Sequence, residues 1–547
     1  MAFVKTKAEL FGSAKKKIAS VRFATASAAF FFGLVAATFG VVTSADALPS
    51  YARQTGQPCG TCHTDFPGLT PYGRKFKLLG YTVGGGPFRT TLFSQFPQVR
   101  EHKGDPLDSE ANAPGAKANA KAKTGSTEDG SQTADTSNVW VPPIAMMAIA
   151  GYTHTQASQA PPCGGPYNCN DQLVASPISF FYGGAITDHI GAFAQVTYNG
   201  APFGAPWNDC LNAQAGGNGC DPYETFQWSW DNTDVRYANS GTIGGLGVIY
   251  GITANNNPSV QDPWNTTPAW TFPYATSTTA PKPAAATLID AGLGPGHVVG
   301  VGGYAFINDL LYLELTGYRS LDWNTQAKLG IDPFSVGMIS AIAPYWRVAL
   351  EPHWGNHWLE FGAYGMSTRL QQWDPTQMDA NGWQIPAFIP LTDRFTDTAF
   401  DAQYQYQGSN YWLTLRGTYI HEDQQLDATF NSGGSSNPSN TLNTFRALAS
   451  LAYGNDNRVV LTGQYFDSWG SSDATLYSAN PGCACSPDSN GFIFEIAYIP
   501  YISSQAPVWP WANMRVGLQY TYYNKFDGDT ASAHDNNTLF AYIWFAM

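Results

Sequence analysis

Charge is scarce in this chain. Only 13% of its 547 residues are Asp, Glu, Lys or Arg, where an average soluble domain holds about a quarter. Basic residues are the scarcer sign, 28 against 41 acidic, for a formal charge of −13, which disfavours nucleic-acid binding. Beyond residue 47 no uncharged apolar run approaches the ~20 residues that a membrane-spanning helix needs. A helical membrane protein is therefore disfavoured. Aromatic surface, by contrast, is plentiful, with 17 Trp, 29 Tyr and 32 Phe, and a disordered chain would not carry it. Two classes remain: a large soluble β-protein and a transmembrane β-barrel.

The N-terminus points to export. Lys5, Lys7, Lys15, Lys16, Lys17 and Arg22 form a basic region. Phe23 to Ala45 is uncharged and apolar, and Ala45-Asp46-Ala47 closes it with a small-x-small cleavage pattern. Residues 1–47 therefore read as a signal peptide, with an uncleaved anchor as the alternative. The mature chain starts near Leu48 and carries 22 basic and 39 acidic residues, a net of −17. In an exported chain the local pairs Cys163/Cys169, Cys210/Cys220 and Cys483/Cys485 are expected to staple loops as disulfides. Their connectivity stays open, because Cys483-Ala484-Cys485 would close a very tight ring.

Cys59 and Cys62 stand apart from these pairs. Cys59-Gly60-Thr61-Cys62-His63 is C-x-x-C-H, the attachment pattern of c-type haem. Two thiols at this spacing reach both vinyl groups of one porphyrin, and the adjacent imidazole reaches the iron. Zinc would want a second ligand pair nearby, and none lies between residues 64 and 101. A thioredoxin-like site would sit in a βαβ unit, which Pro58, Pro67 and Pro71 oppose. One covalent haem c is expected, with His63 as an axial ligand. The sixth ligand is open: no Met and no second His lies between Leu48 and Glu101, and the next candidates are His102, Met146, Met147 and His154.

Pro49-Ser50-Tyr51-Ala52-Arg53-Gln54-Thr55-Gly56 precedes the haem motif; Phe66-Pro67, Tyr72-Gly73-Arg74-Lys75-Phe76-Lys77 and Gly80-Tyr81 follow it. This arrangement resembles the N-terminal module of the fused monohaem cytochrome–porins, a family that includes outer-membrane iron oxidases. Asp231 to Arg236 and Asn257 to Trp270 resemble barrel segments of the same family. Tyr51 and Tyr72 stand where phenylalanine is expected, and the insert after residue 100 and the cysteine-bearing loops depart further. The resemblance implies an outer-membrane barrel with one haem c. Arg53 and Arg74 match family positions and are candidates to pair with haem propionates; the alternative is a salt bridge to a lumen carboxylate such as Glu314, Glu360 or Glu495.

Arg100 to Asn138 contains no Phe, Trp or Tyr, so residues 100–138 read as a flexible polar linker after a monohaem module at 48–99. From Val139 the period becomes two. Leu311, Leu313 and Leu315 alternate with Tyr312, Glu314 and Thr316; Trp346, Val348 and Leu350 alternate with Arg347 and Glu351. Leu518, Tyr520 and Tyr522 alternate with Gln519 and Thr521, and Phe492, Phe494 and Ile496 flank Glu495. One apolar face and one sparsely charged face suit a barrel in lipid, although a soluble sandwich alternates similarly. Aromatics near strand ends and the terminal Leu539 to Met547 favour the membrane.

At about ten residues per strand plus turns and loops, residues 139–547 give a mainly β fold: a transmembrane antiparallel β-barrel of about 16 strands, with the haem segment as a plug. Tyr453 to Arg458 reads as a short hairpin turn, between strands ending near Tyr453 and beginning near Val459; 155–172, 200–226, 254–296 and 468–490 read as long extracellular loops. The function expected is an outer-membrane electron conduit, from extracellular Fe(II) to a periplasmic c-type cytochrome. The alternatives are a transport porin with a redox-sensitive plug and an exported soluble haem enzyme.

Overall fold

The computed structural model describes residues 49–82, 143–158, 170–198, 228–267, 271–331, 333–374, 376–378, 385–478 and 485–547. The signal segment, the polar linker, His102 and all paired cysteines except Cys485 lie outside them. Cys485 is disulfide-bonded, so its partner lies outside them as well.

Among the described residues, 18 strands join in one antiparallel sheet, of which Met338–Ile339 and His353–Trp354 are two-residue pieces. The other 16 are the staves of a closed barrel. Closure is direct: Ile144–Thr155 pairs both with the second strand, Asp171–Ala185, and with the last, Thr538–Ala546, through Met147↔Ala546 to Thr155↔Thr538. No sheet edge is left for water or lipid to satisfy.

Alternation explains the two surfaces. Leu311–Ser320 pairs with Ala343–Leu350, setting Leu313 across from Val348 and Leu315 across from Trp346. All four are exposed outward, whereas Glu314 and Arg347, paired one step along, are buried inward. The same holds at Phe494 and Ile496, which are exposed, against buried Glu495. A belt of exposed Leu, Val, Ile, Phe and Trp costs nothing in hydrocarbon, while single charges on that face would cost several kcal/mol. The barrel is thus of the bacterial outer-membrane type.

Connections alternate in length. Trp228–Ile243 turns into Leu246–Asn255 through Gly244 and Gly245, at φ 59° and 85°, the left-handed pair a two-residue hairpin demands. Tyr453 pairs with Val459 across the next short turn singled out in the sequence. At the opposite end, residues 256–297 separate Leu246–Asn255 from Val298–Ile307. Short turns face the periplasm in such barrels and long loops face outward.

One long loop departs from expectation. Residues 254–296 read as an extracellular loop, yet much of the segment folds into the lumen, burying Val260, Trp264 and Phe272. Asn257 to Thr267, the described part of the Asn257–Trp270 stretch that resembled a barrel segment of the family, belongs to this loop, whereas Asp231 to Arg236 lies in a strand. Asp262 accepts the backbone N–H groups of Trp264, Thr266 and Thr267 at 2.9, 2.8 and 3.0 Å. Those bonds coil the loop tightly enough to enter. Farther along, the backbone N–H of Ile289 donates to Asp397 at 2.8 Å, and Asp290 pairs with Arg446 at 2.5 Å.

Candidate functional site

The N-terminal residues 49–82 fold as three short helices, α1 (Pro49–Thr55), α2 (Cys59–Cys62) and α3 (Pro71–Leu78). Gly56, at φ 69°, ends α1 by donating to Ala52 O at 2.8 Å. Pro58 opens α2, and the His63 N–H closes its single turn on Cys59 O at 2.9 Å. Cys59 and Cys62, three apart on this turn, form no disulfide and lie on neighbouring positions. Thr70 caps α3 by accepting from Gly73 N at 3.1 Å, with Pro71 in the first turn. Its hydroxyl donates to Thr61 O at 2.6 Å, tying α3 to the cysteine turn. Gly73 is required here: a Cβ would stand 2.3 Å from Cys62 O.

The His63 ring is oriented by its own loop. Its Nδ1–H donates to Pro67 O at 3.2 Å, which leaves Nε2 with its lone pair. Burial pushes the imidazole down to about 4, against a smaller opposing effect of the Pro67 carbonyl, so the ring is neutral at physiological pH. Burial, with Cys59 nearby, pushes the Cys62 thiol up to about 12. The Phe66 ring lies 5.2 Å from His63 and 5.0 Å from Trp544 of the terminal strand.

The barrel holds this segment at the short-turn end. Arg458 donates to His63 O at 2.6 Å, and Gly60 N donates to Ile502 O at 2.8 Å. Arg515, fully buried and paired with Glu495 at 2.5 Å, donates to Phe66 O at 2.8 Å. On α3, Lys75 meets Asp309 at 3.0 Å and Tyr304 donates to Leu78 O at 2.6 Å. Tyr81 donates to Asp234 at 2.7 Å, and Tyr51 donates to Ala192 O at 3.0 Å.

Of the residues singled out in the sequence, Cys59, Cys62 and His63 lie together on one turn. Arg74 makes a two-pronged pair with Glu351 at 3.0 and 3.1 Å and donates to Gln405 at 2.6 Å. It thus meets a lumen carboxylate, though not one of the three named above. Arg53 donates to Ile144 O at 2.6 Å, and its guanidinium lies 5.1 Å from the Trp511 ring centroid. Residues that sequence reading left unassigned, Glu351, Arg458 and Arg515, provide much of the grip.

The segment meets the inward loop: Lys77 Nζ donates to the carbonyls of Val260 and Asp262 at 2.6 and 2.8 Å. Above that contact Arg347 bonds Asp401, lies 3.3 Å from Glu360, and has the Trp264 and Tyr364 rings at 5.0 Å each. Tyr345, Tyr364 and Arg347 are each 0% exposed, so this height of the lumen is packed.

No family model matches the sequence, and no curated protein does. Among solved structures, the chain is similar to Salmonella typhi OmpF in complex with daunomycin, at 15% identity over 74% of this chain and 97% of that one, TM-score 0.38. It is also similar to Pseudomonas putida OprB, at 12% identity over 74% and 93%, TM-score 0.39. The outer-membrane channel DcaP of Acinetobacter baumannii gives 12% identity over 74% and 96%, TM-score 0.37.

Proposed function

We propose that this protein is an outer-membrane electron conduit built on one covalent haem c, taking electrons from extracellular Fe(II) and delivering them to a periplasmic c-type cytochrome. The observation that carries the reading is the Cys59–Cys62 turn, outside any disulfide and followed directly by His63, gripped at the barrel's short-turn mouth by Arg458 and Arg515. The donor set fits the group: Cys59 and Cys62 would carry the thioethers and His63 would bind the iron. Bound there, haem c supplies one-electron storage at a potential set by its axial ligands and surroundings.

The chain's own residues do the rest. Arg458 and Arg515 fix the His63–Phe66 backbone, Phe66 packs edge-on to the imidazole and against Trp544, and the Arg74–Glu351 pair anchors α3. Packing around Arg347 closes the middle of the lumen to solutes, which favours electrons over diffusing molecules. Each Fe(II) oxidised to Fe(III) yields one electron, and that electron reduces one molecule of periplasmic cytochrome.

Expression with the cytochrome c maturation machinery tests this. The outer-membrane fraction is expected to show a haem-staining band on denaturing gels and to oxidise Fe(II). A stained, membrane-inserted protein that Fe(II) cannot reduce removes the iron assignment, and an unstained one removes the haem. The second reading, a transport porin closed by this segment, is favoured by the porin-type barrel itself. A Cys59→Ala/Cys62→Ala variant that gains steady conductance in planar bilayers would support it.

A further inference from the structure

We infer that Met147 is the second axial ligand of the iron. The inference rests on the haem reading above and completes the ligand set that the sequence leaves open.

Position separates the candidates. On Ile144–Thr155 the side chains of Ala145, Ile149 and Thr153 are buried inward, while Ile144 and Ala150 are exposed outward. Met147 shares the inward set; Met146 and His154 share the outward one. His154 also sits near the long-loop end, its Nδ1 2.8 Å from Asp171. His102 lies outside the described residues.

Met147 packs against two buried clusters at once. One contains Phe66, Trp544 and Ala546, and Cys59 packs against it too. The other contains Phe76, Tyr81, Ala145 and Phe181, with Tyr51 against it. Met147 therefore shares one packed cluster with Cys59 and Phe66 and another with Tyr51, Phe76 and Tyr81. Met366, by contrast with half-buried Met147, is fully buried. It packs instead with Leu288, Ile289 and Tyr364 around the inward loop.

The chemistry agrees with the placement. A thioether is neutral and soft, needs no deprotonation, and its unbranched chain adapts to an irregular site. Paired with histidine it raises the potential of a c-type haem, as an acceptor of electrons from Fe(II) requires.

The test uses the full-length, haem-loaded chain in detergent, read by optical spectrum and potentiometric titration. The oxidised protein is expected to show the weak far-red methionine–iron charge-transfer band. Met147→Ala and the better-packed Met147→Leu are expected to lose it, lower the midpoint potential and bind added imidazole. Met146→Ala is expected to keep the wild-type spectrum. A wild-type protein that stains for haem but lacks the band, or a Met147 variant that stains and retains it, overturns the ligand assignment and leaves the haem standing. Absence of covalent haem in the wild type overturns both.

Discussion

Arg347 is fully buried between Trp264 and Tyr364, with Asp262, Glu360 and Asp401 within 3.6 Å of its guanidinium. Removing one partner from such a cluster strands charges in a dry interior, at a cost of about 3–5 kcal/mol. Arg347→Ala should therefore unfold at lower denaturant than wild type in detergent micelles; an unchanged midpoint would mean that water reaches the cluster. Lys77 gives a pH-dependent counterpart. Burial, with Arg236 adding to it, pushes the ammonium from 10.5 down to about 7. Between those values the released segment binds more protons than the docked one, so docking strengthens as pH rises through 7 to 10.5, by up to roughly 5 kcal/mol. Below pH 7 docking is weakest. The urea concentration that releases residues 49–82 to protease should rise across that window, and Lys77→Met should flatten the rise. At this scale the adjacency of Cys59, Cys62 and His63 was legible because their spacing is local, and the three share one turn. Glu351 as the partner of Arg74 was not legible, because the two are 277 residues apart and nothing local distinguishes one lumen carboxylate from another.

Among the elements, the strands were the most legible, since a period of two is written into Leu311 to Thr316 and again into Phe492 to Ile496. The hairpin at Tyr453–Val459 was legible for the same reason, its turn residues being consecutive. The inward loop was not. Its Pro, Asn and Thr content is that of any exposed connection, and only scattered apolar residues without a strand around them, Val260, Trp264, Phe272 and Ile289 among them, hinted that it is buried. Its coil depends on one carboxylate, so Asp262→Ala should loosen 256–297 and raise single-channel conductance in planar bilayers; unchanged conductance would place the seal elsewhere. On the opposite side, Gly73→Ala forces a Cβ against Cys62 O at 2.3 Å, so α3 must move off the cysteine turn. Haem staining per mole of protein should fall several-fold while the barrel keeps its heat-modifiable gel mobility; full staining would show that α3 does not set the turn's geometry.

As a whole, the molecule pairs a lipid-facing cylinder with an interior filled from both ends by its own chain. The apolar band of such a barrel is about 25 Å tall, and the cysteine turn lies at its short-turn mouth. On the proposed reading an electron arriving at the long-loop end would have to cross this packed interior, in which Arg347, Tyr345 and Tyr364 are fully buried. The most direct measurement encloses oxidised cytochrome c in liposomes that carry the haem-loaded protein and adds Fe(II) outside. The account predicts reduction of the trapped cytochrome, abolished by Cys59→Ala/Cys62→Ala; trapped cytochrome that stays oxidised beside a haem-stained, folded barrel would contradict it.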